Sequence, residues 1–139
     1  MTRPCAVFIL AALLAFAAAP AAAADLKEGD AAPVWMLRPL NAQASGYKNV
    51  SLNDLLQGNP VQPKAILVTF FATYCEPCKK ELPYLQSLYA TYKDKGLFIV
   101  EVSIDTEPEA IPQIEKLLAE HKVTMPVVHD KLNVVAKRY

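Results

Sequence analysis

Ala65-Ile66-Leu67-Val68-Thr69-Phe70-Phe71, followed by Ala72-Thr73-Tyr74 and then Cys75-Glu76-Pro77-Cys78, is the stretch whose reading decides the fold. Seven β-branched, aliphatic and aromatic residues without strict polar alternation predict a strand buried on both faces, which we read as the central strand of a sheet. After Cys75 the residues Leu82, Leu85, Leu88, Tyr89 and Tyr92 recur at spacings of three and four, so a helix is expected from about Glu76 to Lys93, kinked at Pro83. Gly96 then punctuates the chain, and Leu97 to Ile104 reads as a second strand. A strand, a helix and a strand in this order make the pair parallel. Ile111, Ile114, Leu117 and Leu118 mark a second helix starting near Pro112, and Val127-Val128 a short third strand. Leu132 to Tyr139 has room for a last helical turn or two. Upstream, Asp25 to Pro63 is polar and turn-rich, with short apolar pieces at Val34–Leu37, Leu40 and Val50–Leu56 that fit a β-hairpin or irregular cap. The fold class is α/β.

The composition agrees with one domain. The chain has 139 residues, 53% of them hydrophobic and 20% charged, with fourteen Lys and Arg against fourteen Asp and Glu. With no net positive charge there is no field to condense the protein on nucleic acid, and no nucleic-acid partner is expected. Residues 1–24 carry one charge, Arg3, then the apolar run from Ala6 to Ala19 and a small-residue end with Ala22 and Ala24. That order is the pattern of a cleavable signal peptide. Export to the periplasm or another extracytoplasmic compartment is the expectation, with Cys5 lost in the leader and the folded domain running over 25–139.

Two cysteines remain, and their position carries the chemistry. Cys75 sits where the first strand hands over to the first helix. Unpaired backbone N–H groups and the positive end of the helix dipole there stabilise a thiolate over a thiol. Cys75 is therefore the expected nucleophile. Cys78, one turn into the helix, is placed to attack a mixed disulfide on Cys75 and is the expected resolving cysteine. Glu76 and Pro77 form the active-site turn, and Pro77 costs no helical hydrogen bond in the first turn. Glu81, three residues beyond Cys78, shares its helical face and can take or give its proton, although a solvated carboxylate between lysines is the plain alternative. Zinc would need four ligands, and His121 and His129 do not stand at a finger-like spacing from the cysteines. A purely structural disulfide closing so short a loop gains little. No resident metal or cofactor is expected. His121 and His129 read as surface residues, Trp35 and the tyrosines as core or rim.

The stretch Phe71-Ala72-Thr73-Tyr74-Cys75-Glu76-Pro77-Cys78-Lys79-Lys80-Glu81-Leu82-Pro83 resembles the active site of the thioredoxin superfamily, in particular the TlpA-like branch that includes the ResA-type extracytoplasmic reductases. Gly29 to Pro33 resembles the start of that branch's domain, and Met125 to Asp130 the strand of its helix-strand insertion. Tyr74 departs from the usual tryptophan. The resemblance implies a thioredoxin-like fold in which Cys75 and Cys78 are the redox pair and Glu81 the acidic residue beside them. It also implies a cis-proline loop, two further strands and a closing helix beyond Tyr139, so the domain is expected to be incomplete at its C-terminus. A rival reading makes Pro126 the cis-proline of a plain thioredoxin and Val134 to Ala136 its next strand.

What the resemblance implies for function is thiol-disulfide exchange with protein substrates. The expected partners are the oxidised cysteines of an apocytochrome c or of a copper-site assembly protein, with a membrane thiol-electron transporter as the source of electrons. Two alternatives use the same residues. A thiol peroxidase would carry a threonine three residues before its reactive cysteine, where this chain has Ala72. A Cu(I) metallochaperone would use Cys75 and Cys78 as soft ligands.

Overall fold

The computed structural model describes residues 26–58 and 62–139. The leader read over 1–24 lies outside the described residues. The elements run β1 (Met36–Leu37), α1 (Ala42–Ser45), β2 (Val50–Ser51), α2 (Leu52–Leu56), β3 (Ala65–Phe71), α3 (Glu76–Tyr92), β4 (Leu97–Ser103), α4 (Ala110–Glu120) and β5 (Val127–His129), with a closing 3-10 turn at Ala136–Arg138. The α/β order expected from the sequence is present.

The main sheet has the order β3-β4-β5, parallel throughout, with Ala65 opposite Leu97, Phe71 opposite Ser103 and Glu101 opposite Val127. Among the described residues β3 lies at one edge of this sheet, its residues Ile66 to Phe70 half-buried, and β4 lies between β3 and β5, buried from Phe98 to Ser103. The strand with neighbours on both sides has to be apolar in both directions, and β4 meets that demand except at Glu101 and, at its end, Ser103.

Side chains alternate across the sheet. Ile99 and Val127 face a layer built from Leu82, Leu85 and Tyr89 of α3 and Ala110, Ile114 and Leu118 of α4. Phe98, Val100, Val102 and Val128 face the opposite way, onto Trp35, Val50, Leu52, Leu55 and Val135. The N-terminal segment thus covers one face, and its β1–β2 antiparallel pair is the hairpin expected there. Gly96 starts the β3–β4 pairing: its carbonyl accepts from Lys64 and Ala65, and at φ 100° a side chain there would collide with Lys64.

Proline positions follow backbone logic. Helix α3 continues through Pro83, and α4 starts two residues before Pro112, which still lies among the first-turn positions whose N–H has no intrahelical partner. The strand after Pro126 runs parallel to β4, while Val134 lies in a turn and Ala136 in the 3-10 turn. The rival reading of Pro126 is overturned, because it requires a new strand at Val134 to Ala136.

Asn41 ties the cap to the sheet. Its Nδ2 donates to the carbonyls of Val123 (3.2 Å) and Met125 (2.8 Å), and its Oδ1 accepts from the N–H of Val127 (3.1 Å). Leu40 N–H donates to the Val127 carbonyl beside it, so the outer edge of β5 is occupied by residues 39–41. Asn41→Ala removes three hydrogen bonds and strands partly buried backbone groups; urea unfolding is expected to show a loss of about 1–3 kcal/mol, and Asn41→Asp at neutral pH a larger one, since a carboxylate would face two carbonyls.

Candidate active site

The sequence makes Cys75 the N-cap of α3 in fact as well as in expectation. Its backbone is extended (φ −88°, ψ 92°), its N–H donates to the Ala72 carbonyl (2.9 Å), and its carbonyl accepts the first helical bond from Lys79 (3.1 Å). The Cys75 sulfur accepts from the N–H of Cys78 at 3.4 Å, using one of the donors that a helix N-terminus leaves unpaired. Cys75 and Cys78 are joined as a disulfide with their Cα atoms 5.3 Å apart. Both cysteines are half-buried, and Cys78 packs against the α3–α4 core layer while Cys75 lies nearer the surface turn. Glu76 and Pro77 are exposed, and Glu76 pairs with Lys79 in a solvent-facing contact that contributes little. Tyr74 is 76% exposed beside the sulfurs, which corrects its reading as core or rim: the half-turn into the helix swings its ring outward. Tyr84, on the outer face of α3, is equally exposed.

The loop before the cysteines is held from β4. Asp105, 4% exposed, accepts from the Thr73 N–H (3.0 and 3.1 Å to its two oxygens), from the Thr73 hydroxyl (2.6 Å) and from the Ser103 hydroxyl (2.9 Å). His129 is not simply a surface residue. It is half-buried, with Nε2 2.7 Å from the Asp105 carbonyl oxygen, so its ring reaches the same junction; His121 is the exposed C-cap of α4. A cleft of about 520 Å³ opens beside this junction, bounded by Thr73, Tyr74, Asp105, Glu107, Glu109 and Asn133 among others.

Glu81 stands one turn beyond Cys78, exposed, and among the described residues no hydrogen bond joins it to either sulfur. Its charge acts elsewhere. Glu101 of β4 is 2% exposed, and burial first, then the nearby Glu81 carboxylate, push its pKa up to about 8. Among the described residues its Oε2 has no hydrogen-bond partner, and neither has the Oγ1 of Thr69, directly opposite on β3. Sequence reasoning passed over Glu101 and Asp105. The signal for the first was available: a lone charge in the middle of a seven-residue strand that is apolar from Leu97 to Val102 on either side of it.

Residues 29–139 match the AhpC/TSA family. The chain belongs to that family. It is 40% identical over 111 residues to the thiol-disulfide oxidoreductase ResA of Oceanobacillus iheyensis, covering 80% of this chain and 53% of that protein, and 32% identical over 115 residues to ResA of Bacillus subtilis, covering 83% and 56%. The chain thus spans about half the length of these relatives. The thioredoxin domain of a thiol-disulfide oxidoreductase from Bacteroides vulgatus superposes with a TM-score of 0.61 at 34% identity, covering 82% of this chain and 74% of that one. A thiol:disulfide interchange protein from Bacteroides sp. gives 0.58 at 32% identity, with coverages of 81% and 67%. The fold is thioredoxin-like.

Glu101 makes the stability of the domain pH-dependent with a definite sign. An ordinary carboxyl titrates at 4.5 and the buried one at about 8, so the native state holds this proton more tightly than the unfolded chain. The contribution is fully present below pH 4.5 and is lost as the pH rises toward 8. In denaturant titrations across that window Glu101→Gln is expected to gain on the parent protein by a few kcal/mol; parallel curves would mean that Glu101 ionises freely in the folded state.

Proposed function

We propose that this chain carries the redox centre of an extracytoplasmic thiol-disulfide oxidoreductase that reduces protein disulfides, with Cys75 as nucleophile, Cys78 as resolving cysteine and Glu81 as the group that exchanges a proton with Cys78. The observation that carries this reading is the Cys75 sulfur at the N-cap of α3, accepting a backbone N–H and bonded to Cys78. The same N–H stabilises negative charge on that sulfur once the disulfide opens. The relatives named thiol-disulfide oxidoreductase support the reaction class, and the signal-peptide pattern of residues 1–24 supports the compartment.

The step balances as follows. The Cys75 thiolate attacks one sulfur of a substrate disulfide; the Cys75–substrate bond forms, the substrate S–S bond breaks, and the released sulfur leaves as a thiolate that takes a proton from solvent. Cys78 gives up its proton and its sulfur attacks Cys75, restoring the Cys75–Cys78 disulfide and expelling the second substrate thiolate. Two electrons pass to the substrate, and a protein dithiol returns them. We assign the donor role to a membrane thiol-electron transporter and the substrate role to an apocytochrome c or a copper-site assembly protein. A peroxidase reading is disfavoured by Ala72, which is buried where that chemistry uses a threonine hydroxyl.

Cys75→Ser is expected to abolish disulfide exchange, and Cys78→Ser to accumulate a mixed disulfide through Cys75, detected as a reducible adduct by mass spectrometry; an adduct through Cys78 would reverse the two roles. The reduction potential of the pair is expected nearer to the about −270 mV of thioredoxin than to the about −120 mV of the most oxidising periplasmic enzyme, and a value near the latter would make the protein an oxidant.

A further inference from the structure

The face of the sheet beneath α3 carries an arrangement that the two cysteines alone do not explain. Odd-numbered positions of β4 point toward α3, as Ile99 does, and Glu101 is the next in that row. On β3 the same face carries Leu67 and Phe71, with Thr69 between them and opposite Glu101. Above them the inner face of α3 brings Cys78, Leu82 and Leu85 onto this layer, with Glu81 one turn beyond Cys78. A carboxyl that is 2% exposed, with an Oε2 unpartnered among the described residues beside an equally unpartnered Thr69 hydroxyl, is costly in an apolar layer. Such groups call for a role beyond packing.

We propose that Glu101 is the internal proton store for Cys78, passing its proton to that sulfur and taking it back through the carboxylate of Glu81. This rests on the redox reading of Cys75 and Cys78 and adds a residue to it. When a donor thiolate attacks the Cys75 sulfur, the Cys75–Cys78 bond breaks and Cys78 leaves as a thiolate; the proton of Glu101 neutralises it, and Glu101 becomes a carboxylate. When a substrate disulfide is later held on Cys75, Cys78 returns the proton to Glu101 and attacks as a thiolate. The proton moves between Cys78 and the buried Glu101 by way of Glu81, so the half-buried sulfur has a proton partner on the core side of the pair.

Glu101 titrates at about 8, close to the about 8.5 of an ordinary thiol, which is the condition for transfer without a large energetic step in either direction. Glu81 on α3 is the charged residue acting on Glu101; directly across the sheet stand Thr69 on β3 and Val127 on β5, neither of them charged, and the core layer on that face of the sheet is otherwise apolar. Two acids that share one site lose their protons in two coupled steps, the second opposed by the charge left by the first.

The test is the pH dependence of Cys78 alkylation in the Cys75→Ser protein, with Glu101 intact or replaced by Gln. The intact protein is expected to show two inflections, and Glu101→Gln a single one displaced to lower pH by roughly one unit, since no carboxylate then opposes the thiolate. Glu101→Asp should restore the second inflection. Alkylation of Cys75 in the Cys78→Ser protein, measured in parallel, should respond to Glu101→Gln by less than Cys78 does. Identical Cys78 profiles with and without Glu101, or equal displacements at both cysteines, would overturn the proposal. Because the titration needs no turnover, loss of disulfide-exchange activity in the parent protein would count against the redox reading and leave the Cys78 result to stand or fall separately.

Discussion

The position of the cysteine pair depends on one buried carboxylate. Asp105, just past the C-terminal end of β4, takes the Thr73 N–H, the Thr73 hydroxyl and the Ser103 hydroxyl, and so fixes the loop two residues before Cys75 to the strand that runs through the middle of the sheet. The ladder bond from Ile104 N–H to the Phe71 carbonyl ties the end of β3 to the same strand just before that turn. A strand-to-helix junction leaves several backbone donors without partners. Here Asp105 and the Cys75 sulfur absorb those of Thr73 and Cys78 in turn, and the geometry that satisfies the backbone is the one that sets the half-buried Cys75 sulfur at the N-cap of α3. A second aspartate repeats the device: Asp130, after β5, accepts from the N–H groups of Val134, Val135 and Ala136 and turns the chain so that Val135 enters the opposite core face.

The middle strand carries both the scaffold and its one liability. Burial of Phe98, Ile99, Val100 and Val102 on the two faces supplies the hydrophobic stabilisation that orders the layers. Placing a carboxyl among them opposes that gain unless the group stays protonated, which is what burial and the Glu81 charge bring about. The apolar surroundings of Glu101 on the α3 side of the sheet make its charged form costly, and together with the Glu81 charge they favour the protonated acid.

How much of this was legible in the sequence differs by the kind of interaction involved. The limits of β3 and the start of α3 were readable because they follow from local pattern and from cap chemistry, and α3 ends within a residue of the expected position. The place of β3 in the sheet was not readable, since a run of apolar residues reports burial but not which strand lies on either side; among the described residues β4 is the strand with two neighbours. Helices α1 and α2 escaped notice because each is a single turn or little more, too short for a 3.6-residue period to register, and α1 has no side-chain cap because Asn41 spends its amide on the segment from Val123 to Val127.

The site residues divide along the same line. Cys75, Cys78, Glu76, Pro77 and Glu81 lie within seven positions and are recognisable from spacing. Asp105 and His129 act on the same junction from 30 and more residues away, where only the register of β4 against β3 and β5 brings them together. Glu101 shows why a mismatch deserves more weight than a match. Apolar residues in a buried strand are demanded by packing and say nothing about chemistry, whereas a charge retained at a position that packing penalises has to be held there by something else. Lying opposite Thr69 and within the electrostatic reach of Glu81, on the core side of the cysteine pair, it is the residue that packing alone does not account for, and that mismatch is the ground for the proposed proton movement there.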